Sequence, residues 1–267
     1  MQVLIVGGAG PLTGLLAAQL AEAHSVRLLA LPGQGGGALD AVPEKLQRRV
    51  ECVEGDLLDP ECAWRAVRGV DAVVHTGELP AWVSEPGGDA TDQSPEPLLD
   101  WFTRGTHVLF KAAVEAGVRR AVLGSTLDLF QTYPLDVYIT EHWQPRPEPR
   151  PEPMARYLAE LVLREFVRDF RLSGTVLRLG HLAGQGCSPV PADDLTWLDV
   201  RDAVAAFALA LEIDRSDQVR WNSRWLVYHV CGDRPNARFL IDAARRAGWC
   251  PRHAPPGAAG PVEEAAG

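Results

Sequence analysis

Residues 7–14 read Gly-Gly-Ala-Gly-Pro-Leu-Thr-Gly, and they sit between the apolar run Met1–Val6 and the helix-forming stretch Leu15–Ala23. A glycine cluster in that context restricts the fold more than any other feature of the chain. Glycines let the backbone turn sharply out of a buried strand and approach a ligand closely. The helix that follows presents unpaired N–H groups and the positive end of its dipole, a site suited to a pyrophosphate. Gly7 and Gly10 have the expected spacing, Thr13 stands where a third glycine is usual, and Gly14 comes one residue late. Pro11 removes one amide donor but suits the first turn of a helix. Gly7, Gly10, Pro11, Leu12 and Thr13 are therefore candidate dinucleotide-binding residues. A plain strand–helix turn with glycines for packing is the alternative.

The rest of the chain repeats the alternation of strand and helix. Strands are expected at Val26–Leu31, Val50–Val53, Ala72–His75, Ala121–Leu123 and Thr175–Leu179. Helices are expected at Pro60–Arg68, Thr106–Ala116 and Met154–Phe170. This order predicts an α/β fold: a doubly wound, Rossmann-like parallel sheet with helices on both faces. With 267 residues, 46% of them apolar, the chain suits one large domain with a small appended lobe. The expected division is a dinucleotide-binding core over 1–178, a small C-terminal substrate lobe interleaved with it over 179–250, and a disordered tail over 251–267. Two stretches interrupt the rhythm. Residues 78–97 read as a long surface loop. Residues 144–153 alternate proline with charge, which predicts an extended polyproline-like run and a helix beginning only near Met154.

The net charge of −9 argues against nucleic acid or an anionic membrane as partner, since both require a basic footprint. No run of 18 apolar residues predicts a membrane-spanning helix. The N-terminus does not resemble a secretory signal. The five cysteines are scattered without a Cys-x-x-Cys pair, and the histidines lack His-x-x-x-His spacing. Reduced thiols in a cytoplasmic protein are expected, with no metal site.

Several segments together resemble the extended short-chain dehydrogenases/reductases, which include the NAD-dependent epimerases and dehydratases of nucleotide sugars. They are the glycine loop, Val53–Asp59 (VEGDLLD), Gly69–Gly77 (GVDAVVHTG), Gly105-Thr106, Gly117–Leu123 (GVRRAVL), Leu177–Gly180 (LRLG) and Trp197–Val204 (WLDVRDAV). Their order and spacing cover roughly residues 1–250. The resemblance implies NAD or NADP as cofactor and a small, sugar-like or polar molecule as ligand or substrate. It adds Asp56 and Leu57 at the adenine and Thr76 and Gly77 at the end of the fourth strand. It also implies a homodimer paired through two long helices. Strand two ends Leu29-Ala30-Leu31-Pro32, with neither the acidic residue that selects NAD nor an arginine for the NADP phosphate, and Arg27 lies too early.

The family's chemistry rests on a Tyr as general acid/base, a Lys four residues later that lowers its pKa and contacts the nicotinamide ribose, and a Ser or Thr that polarises the substrate. Thr126 fills the last position, with Ser125 beside it, although strand-end capping would equally explain a threonine there. The Tyr/Lys pair is absent. Glu152 falls at the Tyr position and Arg156 at the Lys position. The residues four places after Tyr133, Tyr138, Tyr157 and Tyr228 are Val137, His142, Leu161 and Gly232. Only two of the 26 basic residues are lysines, Lys45 and Lys111, and both belong to other elements. Phe102 stands where the family carries an Asn. Glu152 and Arg156 form either a surface i,i+4 pair or a partial replacement for the lost pair. His75 reads as structural. His142 and His181 are expected near the cleft, and Trp197, Trp221, Trp225 and Trp249 read as packing.

Two functions follow. One is an NAD(P)-binding protein with a degenerate active site, sensing a ligand or regulating, with little or no turnover. The other is an atypical oxidoreductase, epimerase or dehydratase working through Thr126. A scaffold that binds no dinucleotide is a third alternative.

Overall fold

Val3 and Ile5 turn to one face of the first strand and Leu4 and Val6 to the other, and all four are fully buried. A strand buried on both faces needs cover on both, and two separate cores supply it. The computed structural model describes residues 1–8, 10–31, 39–78, 96–234 and 237–255.

Seven parallel strands form the main sheet: β1 (Gln2–Val6), β2 (Ser25–Ala30), β3 (Val50–Glu54), β4 (Ala72–His75), β5 (Arg120–Thr126), β6 (Ser173–Leu179) and β9 (Trp225–Val230), in the order β3-β2-β1-β4-β5-β6-β9. The strand order reverses between β1 and β4. Such a switch point opens a crevice at the carboxyl ends of the strands, where ligands of this fold class bind. A separate ladder pairs β7 (His181–Ala183) with β8 (Trp197–Asp199). One face of the sheet carries α1 (Pro11–Ala21) and a helix over Val200–Glu212. The other carries helices over Pro60–Val67, Thr106–Glu115 and Pro151–Asp169. In chain order the remaining labels are α2 (Glu44–Gln47), α3 (Pro60–Val67), α4 (Glu96–Asp100), α5 (Thr106–Glu115), α6 (Pro151–Asp169), α7 (Val200–Glu212), α8 (Trp221–Arg224) and α9 (Asp242–Arg246).

Four departures from the sequence expectations have physical causes. Helix α1 begins at Pro11, not Leu15, because proline at the first helical position gives up only an N–H that no intrahelical carbonyl could accept. For the same reason α6 begins at Pro151, so that Pro151, Glu152 and Pro153 are its first turn and not the end of an extended run. Strand β5 extends through Gly124, Ser125 and Thr126, which look like loop residues but pair with Leu177, Arg178 and Leu179 of β6. Strand β9 lies beyond the six strands expected and closes that edge of the sheet. The loop expected over 78–97 gives way to α4 at Glu96. Its residues 79–95 lie outside the described residues, as do 32–38.

A buried ion pair and a buried carboxylate fasten the outer layers. Arg178 of β6 and Glu160 of α6, both nearly inaccessible, form a two-pronged pair at 3.1 and 2.8 Å. Asp202, in the first turn of α7, accepts the backbone N–H of Arg252 at 3.1 Å and of His253 at 3.0 Å, and bonds the His253 ring at 2.8 Å. The first part of the expected tail, 251–255, is thus held, and 256–267 lie outside the described residues.

Candidate functional site

A cleft of about 420 Å³ opens at the carboxyl ends of β1, β4, β5 and β6. One wall is the glycine loop and the start of α1 with Thr76, Gly77 and Glu78. The other is the end of β5 with Asp128, the start of α6, and the chain around His181 and Cys187.

The glycine-loop wall is bonded internally. Gly10 caps α1 in an extended conformation, and the helix aims the amides of Leu12 and Thr13 into the cleft. The carboxylate of Glu78 accepts both, from Leu12 N at 2.9 Å and from Thr13 N at 2.8 Å. A side chain on Gly10 would meet Glu78 Oε1 at 2.2 Å, so this position must lack one while Glu78 is seated. Gly7 is required for a different reason. Its Cβ would lie 2.2 Å from Thr76 Oγ1 and 2.4 Å from Thr13 Oγ1, and those two hydroxyls bond each other at 3.0 Å. Thr13 therefore fills the third-glycine position with a side chain turned inward. Burial pushes the Glu78 carboxyl above its usual pKa, against the bonds from Thr13 and Leu12 and the charge of Arg156.

Arg156 rises from the second turn of α6 and donates to the Gly77 carbonyl at 2.5 Å and to Glu152 at 3.3 Å. Its guanidinium lies 5.1 Å from the centre of the Phe102 ring. Phe102 is buried in a π-helical turn, Trp101–Gly105, between α4 and α5. Arg156 and Phe102 thus form one stacked unit. His75 sits beneath, fully buried against Trp101 and Phe102. Burial first, and then the charge of Arg156, hold His75 down to about 4, so the ring is neutral at ordinary pH. Its Nδ1 accepts the Gly77 N–H at 3.1 Å, a structural role as the sequence suggests.

The opposite wall carries a row of polar groups. Thr126 caps the short turn Leu127–Phe130, its hydroxyl accepting Asp128 N–H at 3.1 Å. Ser125 beside it is buried, and its hydroxyl has no partner among the described residues. His181 bridges two carboxylates, Nδ1 to Asp194 at 2.7 Å and Nε2 to Asp128 at 3.1 Å. The bond to Asp128 outweighs burial, and with the bond to Asp194 it raises His181 to about 9, making it an imidazolium at neutral pH. Burial alone would raise Asp128 and Asp194, but the bonds from His181 and their other donors hold both carboxyls below the usual range. The Cys187 thiol is pushed up to about 11 by burial and by the charges of Glu78 and Asp199, so it is no ready nucleophile.

The cleft brings together Thr126, Glu152, Arg156, Gly10, Pro11, Leu12, Thr76 and Gly77 among the residues singled out from the sequence. Gly7 and Thr13 lie beneath its floor. Asp56 and Leu57 lie off the cleft at the carboxyl end of β3, where Asp56 accepts Leu58 N–H at 2.9 Å and Leu57 is buried against Gly105. His142 is exposed and does not line the cleft, whereas His181 does. Arg27 is engaged elsewhere, with Glu51 and the carbonyls of Ala66 and Arg68. Neither a tyrosine nor a lysine lines the cleft among the described residues. Glu78 is the residue the sequence did not single out. Its signal was faint: an acidic side chain directly after Gly77, three residues past the end of β4, the strand next to β1. All five cysteines are free, and no cluster among the described residues could hold a metal ion. No helix among the described residues is long and apolar enough to cross a membrane.

A parallel sheet with this strand order and a glycine loop feeding α1 define a doubly wound, Rossmann-like dinucleotide-binding fold. Residues 7–212 match the NAD(P)H-binding family, and the chain belongs to it. A variant of uronate dehydrogenase from Agrobacterium tumefaciens, complexed with NAD, superposes with a TM-score of 0.72 at 22% identity, covering 95% of this chain and 86% of that one. UDP-glucose 4-epimerase from Thermotoga maritima, with UDP-glucose, superposes with a TM-score of 0.70 at 20% identity, covering 94% of each chain. Sterol demethylase protein B of Methylococcus capsulatus is 32% identical over 148 residues, 55% of this chain and 40% of that protein. The chain therefore spans less than half the length of that relative.

The glycine-loop backbone fits the diphosphate of NAD(P): Gly10 permits close approach and two amides converge on one point. In the conformation described here those two amides are bonded to Glu78.

Proposed function

We propose that this protein is an NAD(P)-binding member of the epimerase/dehydratase type with a degenerate active site, which senses a ligand or regulates and turns over little or no substrate. The observation that carries this reading is the engagement of Arg156. A reductase or epimerase of this type needs a cation free to lower a neighbouring phenol's pKa and to reach the nicotinamide ribose. Arg156 instead binds the Gly77 carbonyl, stacks on Phe102 and pairs with Glu152, and no phenol lies in the cleft among the described residues.

Gly7, Gly10, Pro11, Leu12, Thr13, Thr76 and Gly77 would form the cofactor's diphosphate site, with Asp56 and Leu57 towards the adenine. NAD(P), when bound, supplies hydride transfer. What this chain supplies is the helix α1 amides, a buried hydroxyl at Ser125, and the Thr126 hydroxyl.

The unpartnered Ser125 hydroxyl favours a second reading, an atypical oxidoreductase, epimerase or dehydratase of a sugar-like or small polar substrate. A buried hydroxyl without a partner is costly unless a ligand completes it. Thr126 would then polarise the substrate oxygen, and Glu152 and Arg156 would orient it.

Calorimetric titration with NAD(H) and NADP(H), followed by turnover assays on nucleotide sugars, separates the readings. Binding without turnover is expected. Turnover that Thr126→Ala and Arg156→Ala abolish would replace the first reading with the second. Absence of binding at millimolar cofactor would overturn both in their NAD(P)-dependent forms.

A further inference from the structure

The amides of Leu12 and Thr13 carry a ligand already, and it belongs to the chain itself. Glu78 occupies them with both carboxylate oxygens, in the manner of an anion at a helix N-terminus. This is more than one flexible side chain resting on the nearest donors. The Glu78 N–H is placed by Thr76 Oγ1 at 3.4 Å, the Gly77 N–H bonds His75 Nδ1 at 3.1 Å, and Arg156 holds the Gly77 carbonyl. Gly77 makes the turn with φ near 75°, a conformation that side chains other than glycine's rarely adopt. A Cβ there would also meet the Gly124 carbonyl oxygen at 2.3 Å. The segment from His75 to Glu78 is therefore built to deliver the carboxylate to the start of α1.

We infer that Glu78 is a built-in competitor for the diphosphate of a dinucleotide, so that cofactor binds only when the carboxylate has released the Leu12 and Thr13 amides. Two anions cannot share the same two N–H donors, and the space beside Gly10 that a diphosphate needs is the space Glu78 fills. The inference rests on the reading of this cleft as a dinucleotide site and adds the residue that sets its affinity. It also gives Arg156 a positive role. The same guanidinium that cannot serve as the family's lysine braces the turn that presents Glu78. Apparent affinity falls by the fraction of molecules in which the amides are free, so removing the competitor should restore it.

The test is calorimetric titration of the full chain with ADP-ribose, which carries the diphosphate without the nicotinamide, and with NAD+, at one fixed salt concentration. Glu78→Ala should bind ADP-ribose about tenfold or more tightly than the wild type, a difference in Kd of one decade or more. Glu78→Gln should fall between, because its amide oxygen still accepts an N–H but carries no charge. Adenosine, which lacks the diphosphate, should bind the wild type and both variants alike. Thermal melts show whether each variant is folded, and Glu78→Gln carries the test if Glu78→Ala is not. Equal ADP-ribose affinities in wild type and folded variants overturn the competitor and leave the dinucleotide reading standing. No binding of ADP-ribose or NAD+ to any of the proteins overturns both.

Discussion

On the glycine-loop wall of the cleft, Leu12 and Thr13 are bonded to Glu78, Thr13 to Thr76, and Gly77 to both His75 and Arg156. On the wall formed by the end of β5 and by His181, one buried hydroxyl has no partner, and Asp128 and His181 form a polar row at the cleft's edge. Both walls stand at the carboxyl ends of neighbouring strands of one sheet. The Leu12 and Thr13 amides of the first are bonded within the chain, whereas the Ser125 hydroxyl of the second has no partner among the described residues. Arg156 joins the two walls, bonding the Gly77 carbonyl and stacking on Phe102.

The comparison can be broken or sharpened in four places beyond Glu78. The largest effect is expected behind the open wall. Arg178→Ala leaves Glu160 charged and buried without its partner and should destabilise the chain by about 3–5 kcal/mol in urea unfolding. A loss below about 1 kcal/mol would mean that the pair does not brace β6 against α6. Next is the closed wall itself. Gly7→Ala drives a methyl into the buried Thr13 and Thr76 hydroxyls and should destabilise by about 2 kcal/mol. A neutral substitution there would show that wall to be looser than its bonds imply.

The third effect depends on pH. His181 is raised from 6.5 to about 9 in the folded protein, so its contribution is fully present below about pH 6.5 and is lost as the pH climbs through 9. The side chain is 42% exposed, and solvent screening reduces the expected change to about 1 kcal/mol between pH 6 and pH 10. An NMR titration placing the His181 midpoint near 6.5 would contradict the bridged imidazolium. Thr126→Ala should have the smallest effect, about 0.5 kcal/mol for the lost cap on Asp128 N–H, read from thermal melts. A much larger loss would mean that Thr126 belongs to a tightly closed wall after all.

Short apolar runs made the sheet legible, as at Val3–Val6 of β1 and Ala72–Val74 of β4, and glycines placed the turn before α1. Ends that depend on distant partners were harder to read. Gly124, Ser125 and Thr126 look like a loop until β6 is laid beside them, because their pairing is with residues more than fifty positions away. Pro151 and Pro153 read as helix breakers because interior and first-turn prolines look alike in a sequence. Within the site, glycine spacing pointed to Gly10, and the family resemblance to Thr126, Glu152 and Arg156; all four share one cleft. Neither could point to Glu78 as a ligand of Leu12 and Thr13, since 66 and 65 residues separate them. The use of Arg156 as a brace was equally hidden, because it depends on a carbonyl and not on a residue type.

Asp202 has a consequence for how the chain can be shortened. Its buried carboxylate on α7 takes the backbone of Arg252 and His253 and the His253 ring. A stop codon after residue 255 keeps all of these donors, whereas one after residue 250 removes every one of them and strands a charge in the helix layer that covers β1. A single aspartate, fifty residues upstream of Arg252, therefore ties this stretch to the folded chain.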